Sequence, residues 1–225
     1  MGERVKFQSN GHSCEGYLAL PQSGRGPAVV VIQEWWGLVP HIENLVDRFA
    51  AEGFVAIAPD LYHGTTTTSP DDAGKMLMEL NGDQARKEIA GAGGHLLGRP
   101  ECSSKTYGVV GFCMGGALAQ YTATQDPNVG AAVSFYGGFK KLDMQWKKLQ
   151  APLLLIYGEN DKGVPAEQGR ALRETLRELG KEAELVVYPN ADHAFFNDTR
   201  PQVYNPVAAK DAWMRTLAFF RKHVT

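Results

Sequence analysis

The chain has 225 residues, 44% apolar and 21% charged, with a formal net charge of −2. That length suits one domain, 1–225, with a sizeable core, and the mixed charges leave no basic stripe for nucleic acid or an anionic membrane. Three cysteines, Cys14, Cys102 and Cys113, lack the spacing of a disulfide framework or a zinc site, and no apolar run approaches the ~20 residues that cross a bilayer. Residues 1–6 carry no apolar signal-like run, so a cytoplasmic protein acting on a small molecule, as monomer or homodimer, is the expectation.

Runs rich in Val, Ile and Tyr alternate with helix-period segments, the pattern of parallel strands joined by crossover helices. A hairpin opens the series: residues 5–7 and 16–20 flank the turn signal Ser9-Asn10-Gly11. Further strands are expected at 28–32, 55–58, 108–112, 131–135, 153–157 and 184–188, and helices at 42–52, 71–80, 84–97, 115–124, 166–179 and 207–223. The third helix contains Gly91-Ala92-Gly93-Gly94, at a cost of roughly 1 kcal/mol per glycine. The result is an α/β chain with a mostly parallel central sheet, helices on both faces, an antiparallel N-terminal hairpin and no large cap domain.

Gly111-Phe112-Cys113-Met114-Gly115 follows an apolar strand and opens a helix. This is the frame of a nucleophile elbow, with a thiol where serine usually stands. A cysteine there acts as thiolate and needs a base. In an open parallel sheet the reactive groups follow the carboxyl ends of strands. Asp161 follows the 153–157 strand, and His193 follows the 184–188 strand. The order nucleophile, acid, histidine is that of α/β-hydrolases. Taken singly, each residue has a plainer reading: a packed cysteine, a turn aspartate, a structural histidine. His12, His41, His95 and His223 are poorly placed for a base, and His63, which also follows a strand, comes before the nucleophile. Asp192 adjoins His193, but neighbouring side chains diverge and it reads as a turn cap.

Glu34 ends another apolar strand and precedes Trp35-Trp36-Gly37, so burial should raise its pKa. The same loop supplies an oxyanion donor in α/β-hydrolases, which makes the Trp35 and Met114 N–H groups the candidates. Trp35, Trp36, Tyr62, Tyr136, Phe195 and Phe196 are candidate linings of an apolar pocket, each with core packing as the alternative, and Asn197 is a candidate substrate contact beside them.

The motifs Gln33-Glu34-x-x-Gly37, Ala58-Pro59-Asp60-Leu61-Tyr62, Gly111 to Gly116, Tyr157-Gly158-x-x-Asp161 and His193-Ala194-Phe195 resemble the dienelactone hydrolase (carboxymethylenebutenolidase) family across nearly the whole chain. The resemblance implies Cys113 as nucleophile, His193 as base, Asp161 as its orienting acid, Glu34 as a carboxylate that interacts with the resting thiol, and no metal or organic cofactor. It also implies arginines that grip a substrate carboxylate, one after the Asp-Leu-Tyr segment and one shortly after the histidine. Here residues 69–75 hold no arginine, Asn197 stands in the second place, and Lys75 and Arg200 are the nearest shifted cations. Loss of a bidentate clamp, worth about a few kcal/mol, points to a small ester or lactone less acidic than dienelactone. An acyltransferase or thioesterase using the same residues, and a non-catalytic binding protein, are the other readings.

Overall fold

A computed structural model describes residues 1–138 and 142–225. The opening hairpin pairs β1 (Glu3–Ser9) with β2 (His12–Ala19), and its turn residues Asn10 and Gly11 both have positive φ, 48° and 80°, as a two-residue type I′ turn requires. The chain then alternates β3 (Gly26–Ile32), α1 (Pro40–Ala51), β4 (Val55–Pro59), α2 (Pro70–Glu79), α3 (Gly82–Leu97), β5 (Cys102–Phe112), α4 (Met114–Gln125), β6 (Val129–Phe135), β7 (Leu153–Gly158), α5 (Ala166–Glu178), β8 (Ala183–Tyr188) and α6 (Pro206–His223). The eight strands lie in the order β1-β2-β4-β3-β5-β6-β7-β8; the hairpin is antiparallel and docks antiparallel on β4, and the rest are parallel.

Central strands are apolar on both faces because both are covered, and their side chains alternate between two cores. Val29, Val31, Val110 and Val133 face α1 and α6, where they meet Ile42, Leu45, Phe49 and Phe220. Val30, Ile32, Val109 and Ala132 point the other way, into a core shared with Ile89, Ala92 and Leu96 of α3 and Leu118 of α4. α5 covers the far edge through Leu155, Tyr157, Val164 and Ala166.

Five of the six helices begin one or two residues earlier than periodicity suggests, and α5 begins at Ala166 as expected. Proline at the first position of α1, α2 and α6 costs no hydrogen bond there, and Ser69, Asn81 and Asn205 cap the next free N–H groups of α2, α3 and α6. β5 begins at Cys102 rather than 108, because Gly26 pairs with Cys102 across a register shift. A single 3-10 turn at Trp146–Lys148 has no counterpart in the sequence reading. The glycine-rich α3 is a full helix: a Cβ on Gly93 would lie 2.4 Å from the Tyr107 ring, so the missing side chain lets the helix sit close on β5.

Candidate active site

The elbow forms where β5 turns into α4. Cys113 has φ 55° and ψ −116°, a conformation that costs a non-glycine residue roughly 1–3 kcal/mol and lifts the side chain off the sheet end. The surrounding glycines are sterically required: a Cβ on Gly111 would lie 2.0 Å from the Gly115 carbonyl oxygen, and one on Gly115 would lie 2.5 Å from that of Gln33. Cys113 is half-buried, while Cys14 and Cys102 are buried.

The carboxyl ends of β5, β6, β7 and β8 are laced by backbone hydrogen bonds. Cys113 N–H donates to Phe135 O at 3.1 Å, Tyr136 N–H to Ile156 O at 2.7 Å, Glu159 N–H to Tyr188 O at 2.9 Å and Asn160 N–H to Ala191 O at 3.0 Å. This lacing brings together three residues far apart in sequence. The Asp161 side chain is fully buried; its Oδ1 accepts from Gly163 N–H (2.9 Å) and Val164 N–H (2.8 Å), which leaves Oδ2 for His193 Nδ1 at 2.6 Å. Cys113 is the second group close enough to act on the His193 ring. Burial pulls the His193 pKa down, but the hydrogen bonds and negative charges of Asp161 and Cys113 outweigh it and lift it to about 10. The ring also lies on Tyr136, with centroids 4.9 Å apart.

Glu34 is 2% exposed. Burial raises its pKa, opposed by a hydrogen bond from Asn197 and by the positive groups His193 and Arg200. The resemblance placed this carboxylate on the resting thiol. In the structure its Oε2 accepts from Asn197 Nδ2 at 2.9 Å, and no hydrogen bond joins Glu34 to Cys113 among the described residues. Asn197 Oδ1 in turn accepts from the N–H and hydroxyl of Thr199. Its amide thus holds Glu34, on a residue that also lines a cavity. The pocket reading of Phe195 is corrected: it is wholly buried between Tyr136 and Tyr188, in the core. Phe196 is likewise buried, stacked on Phe112. Tyr136 is fully buried at φ 39° and does not line an open pocket; burial, with Glu34 the nearest charge, keeps it a neutral phenol, and its hydroxyl has no hydrogen-bond partner among the described residues.

Trp35 and Trp36 are half-buried and pack edge to face, 5.0 Å between centroids. Among the described residues, neither the Trp35 N–H nor the Met114 N–H donates a hydrogen bond, which leaves both donors open beside the elbow. Tyr62 donates its hydroxyl to Met114 Sδ at 3.2 Å; burial and the charge of Cys113 raise its pKa to about 12. Two cavities open around these groups. One, about 540 Å³, is lined by Trp36, His41, Thr67, Asn197, Arg200 and Gln202. The other, about 360 Å³, is lined by Leu61, Tyr62, His63, Glu79, Gln84 and Glu88. Lys75 joins neither: it is exposed and 3.6 Å from Asp72. His63 and His41 stand apart from the triad, His63 exposed near Glu88 and His41 buried 3.3 Å from Asp198. Arg200, the shifted cation named from the sequence, lines the larger cavity, where its charge acts on Glu34; the unpartnered Tyr136 hydroxyl carries no sequence signal, since it arises from loop geometry. No group of three or more His, Cys, Asp or Glu side chains among the described residues is arranged to hold a metal. No helix among them is long and apolar enough to cross a membrane.

An eight-stranded, mostly parallel sheet with a nucleophile elbow after its central strand and a His–Asp pair on the next loops defines an α/β-hydrolase. The family profile of dienelactone hydrolases matches residues 14–224. The chain belongs to the dienelactone hydrolase family and is a hydrolase of ester or lactone bonds. It is 38% identical to "Protein usf" of Aquifex pyrophilus over the full length of both chains. It is 34% identical, again over the full length of both, to an Aquifex aeolicus protein provisionally named as a carboxymethylenebutenolidase. A Klebsiella pneumoniae structure provisionally named as a dienelactone hydrolase superposes with a TM-score of 0.90 at 32% identity, over 99% of each chain.

Proposed function

We propose that the protein is a cysteine-dependent hydrolase of small esters or lactones, working through Cys113, His193 and Asp161 by an acyl-enzyme. The observation that carries this reading is the Asp161–His193 hydrogen bond at 2.6 Å, on a ring close enough to Cys113 at the strained elbow to be acted on by it. With its pKa near 10, His193 holds a proton at neutral pH, and Asp161 neutralises the imidazolium. In this scheme the thiol is the source of that proton as the sulfur becomes the nucleophile, so the reacting pair is thiolate and imidazolium.

The thiolate attacks the carbonyl carbon, and the oxyanion forms toward the Trp35 and Met114 N–H groups. The bond from carbon to the alcohol oxygen then breaks, and His193 gives its proton to the departing oxygen, which stays tethered if the substrate is a lactone. Neutral His193 next takes a proton from water as the water oxygen attacks the thioester. The sulfur leaves as thiolate, the imidazolium is restored and the carboxylic acid departs. Asn197 keeps Glu34 off the sulfur in this scheme, so the thiolate is free to attack without first displacing a carboxylate.

Mass spectrometry of protein quenched during p-nitrophenyl acetate turnover tests the scheme. A single acetyl group on Cys113 is expected, with activity lost in Cys113→Ala. Full activity in that variant refutes the reading. Iodoacetamide should alkylate Cys113 before Cys14 and Cys102, and adding alcohol, amine or thiol acceptors separates hydrolysis from acyl transfer.

A further inference from the structure

We propose that the cavity beside Tyr62 is a subsite for a positively charged group, so that the preferred esters carry a cation in their alcohol or acyl portion; this rests on the hydrolase reading above. The cavity, about 360 Å³, suits a group the size of a small alkylammonium. Its walls are the apolar Leu61, Met76 and Leu80 and the ring of Tyr62, a surface able to stack against a cation. Glu88 of α3 lies among them and is only 3% exposed.

A carboxylate so far out of water needs partners, and Glu88 has few. Its Oε1 accepts from Gln84 Nε2 at 2.8 Å. His63 Nε2 is 3.6 Å away, beyond a good hydrogen bond, on a side chain that is 65% exposed and easily displaced. Oε2 accepts no hydrogen bond among the described residues and keeps some access to the cavity that the side chain lines. Glu79 adds a second carboxylate at the exposed rim, no lysine or arginine among the described residues lines the cavity, and Lys75 on the same helix is turned to Asp72. A bound cation would complete what Gln84 and His63 leave open.

Tyr62 ties this cavity to the chemistry. It forms one wall, and its hydroxyl rests on Met114 Sδ, on the residue next to the nucleophile. The second cavity carries Arg200 among its lining and, among the described residues, no carboxylate, so the two cavities differ in charge.

The binding arm uses Cys113→Ala protein, calorimetry, choline and its neutral isostere 3,3-dimethylbutan-1-ol. Choline should bind at least about tenfold more tightly, with the preference abolished by an added Glu88→Gln. Glu79→Lys, at an exposed position that cannot disturb the core, should weaken choline several-fold even if Glu88→Gln fails to fold. The turnover arm compares two pairs on the wild-type protein: acetylcholine with 3,3-dimethylbutyl acetate, and p-nitrophenyl 4-(trimethylammonio)butanoate with p-nitrophenyl 5,5-dimethylhexanoate. At least one cationic ester should show about a tenfold higher kcat/KM than its isostere. Equal binding of choline and the alcohol overturns the subsite, and preferential binding without preference in either ester pair overturns its role toward substrate. If choline binds but the wild-type protein hydrolyses none of the four esters, the hydrolase reading fails and the cation site stands.

Discussion

Changing Asn197 to aspartate exchanges one buried donor for an acceptor with almost no change in shape. Asn197 Nδ2 lies 2.9 Å from Glu34 Oε2, and both residues are at most 3% exposed. Aspartate can keep the oxygen that accepts from Thr199, which turns its second oxygen onto Glu34. Two full charges at that distance repel by about 6 kcal/mol at an effective dielectric constant near 20. Keeping a carboxyl of ordinary pKa protonated costs less, about 4 kcal/mol at pH ~7, so the pair shares one proton. The folded-state pKa of the pair is then raised above the unfolded value. The penalty is small near pH ~4 and grows with pH, by roughly 2.7 kcal/mol between pH ~5 and pH ~7. In a domain of this size that widens the Tm gap between wild type and variant by roughly 5–10 °C over the same range. Thermal unfolding followed by circular dichroism across pH ~5 to ~8 measures it. A gap independent of pH would mean that the two carboxyls do not face each other and that Asn197 does not hold Glu34.

Asp161→Asn keeps the oxygen for Gly163 and Val164 but removes the charge from His193, so kcat/KM should fall by about 10²–10⁴-fold and the His193 titration should move down from about 10, as read by NMR. Because the folded-state pKa of His193 is raised, its contribution to stability is complete below about 6.5 and is lost as pH rises through about 10; denaturant unfolding across that window should show a decline that His193→Gln abolishes. Gly93→Ala pushes a methyl into the Tyr107 ring and should destabilise by about 1–3 kcal/mol in urea. One residue on, Gly94→Ala meets nothing within 4 Å and should stabilise by up to about 1 kcal/mol.

All eight strands and six helices were legible because each buried strand is a short Val- and Ile-rich run and each crossover helix repeats its apolar face. Proline and cap residues moved the helix starts, and the Gly26–Cys102 pairing that lengthens β5 depends on a neighbour that no local pattern reveals. In the candidate site, strand ends and chain order single out Cys113, Asp161, His193 and Glu34. What surrounds them was less legible, since an aromatic beside a motif reads alike whether it faces a pocket or the core. Phe195 is wholly buried, whereas Tyr62 borders a cavity, and only the path of each loop separates them. The partnership of Asn197 with Glu34 spans 163 residues and could not be read from either segment.

For the proposed Cys113–His193–Asp161 triad, the backbone lacing across the ends of β5 to β8 makes catalytic competence a late product of folding. Asp161 and His193 reach Cys113 only after four parallel strands have paired, each through a connection with high loop-closure cost. A chain missing β8 loses the anchor for Asn160 and the loop that bears His193, whatever else it folds. Turnover is therefore an all-or-none reporter of the completed sheet, and its recovery during refolding should coincide with the slowest protected amides of the central strands rather than with the first appearance of helix.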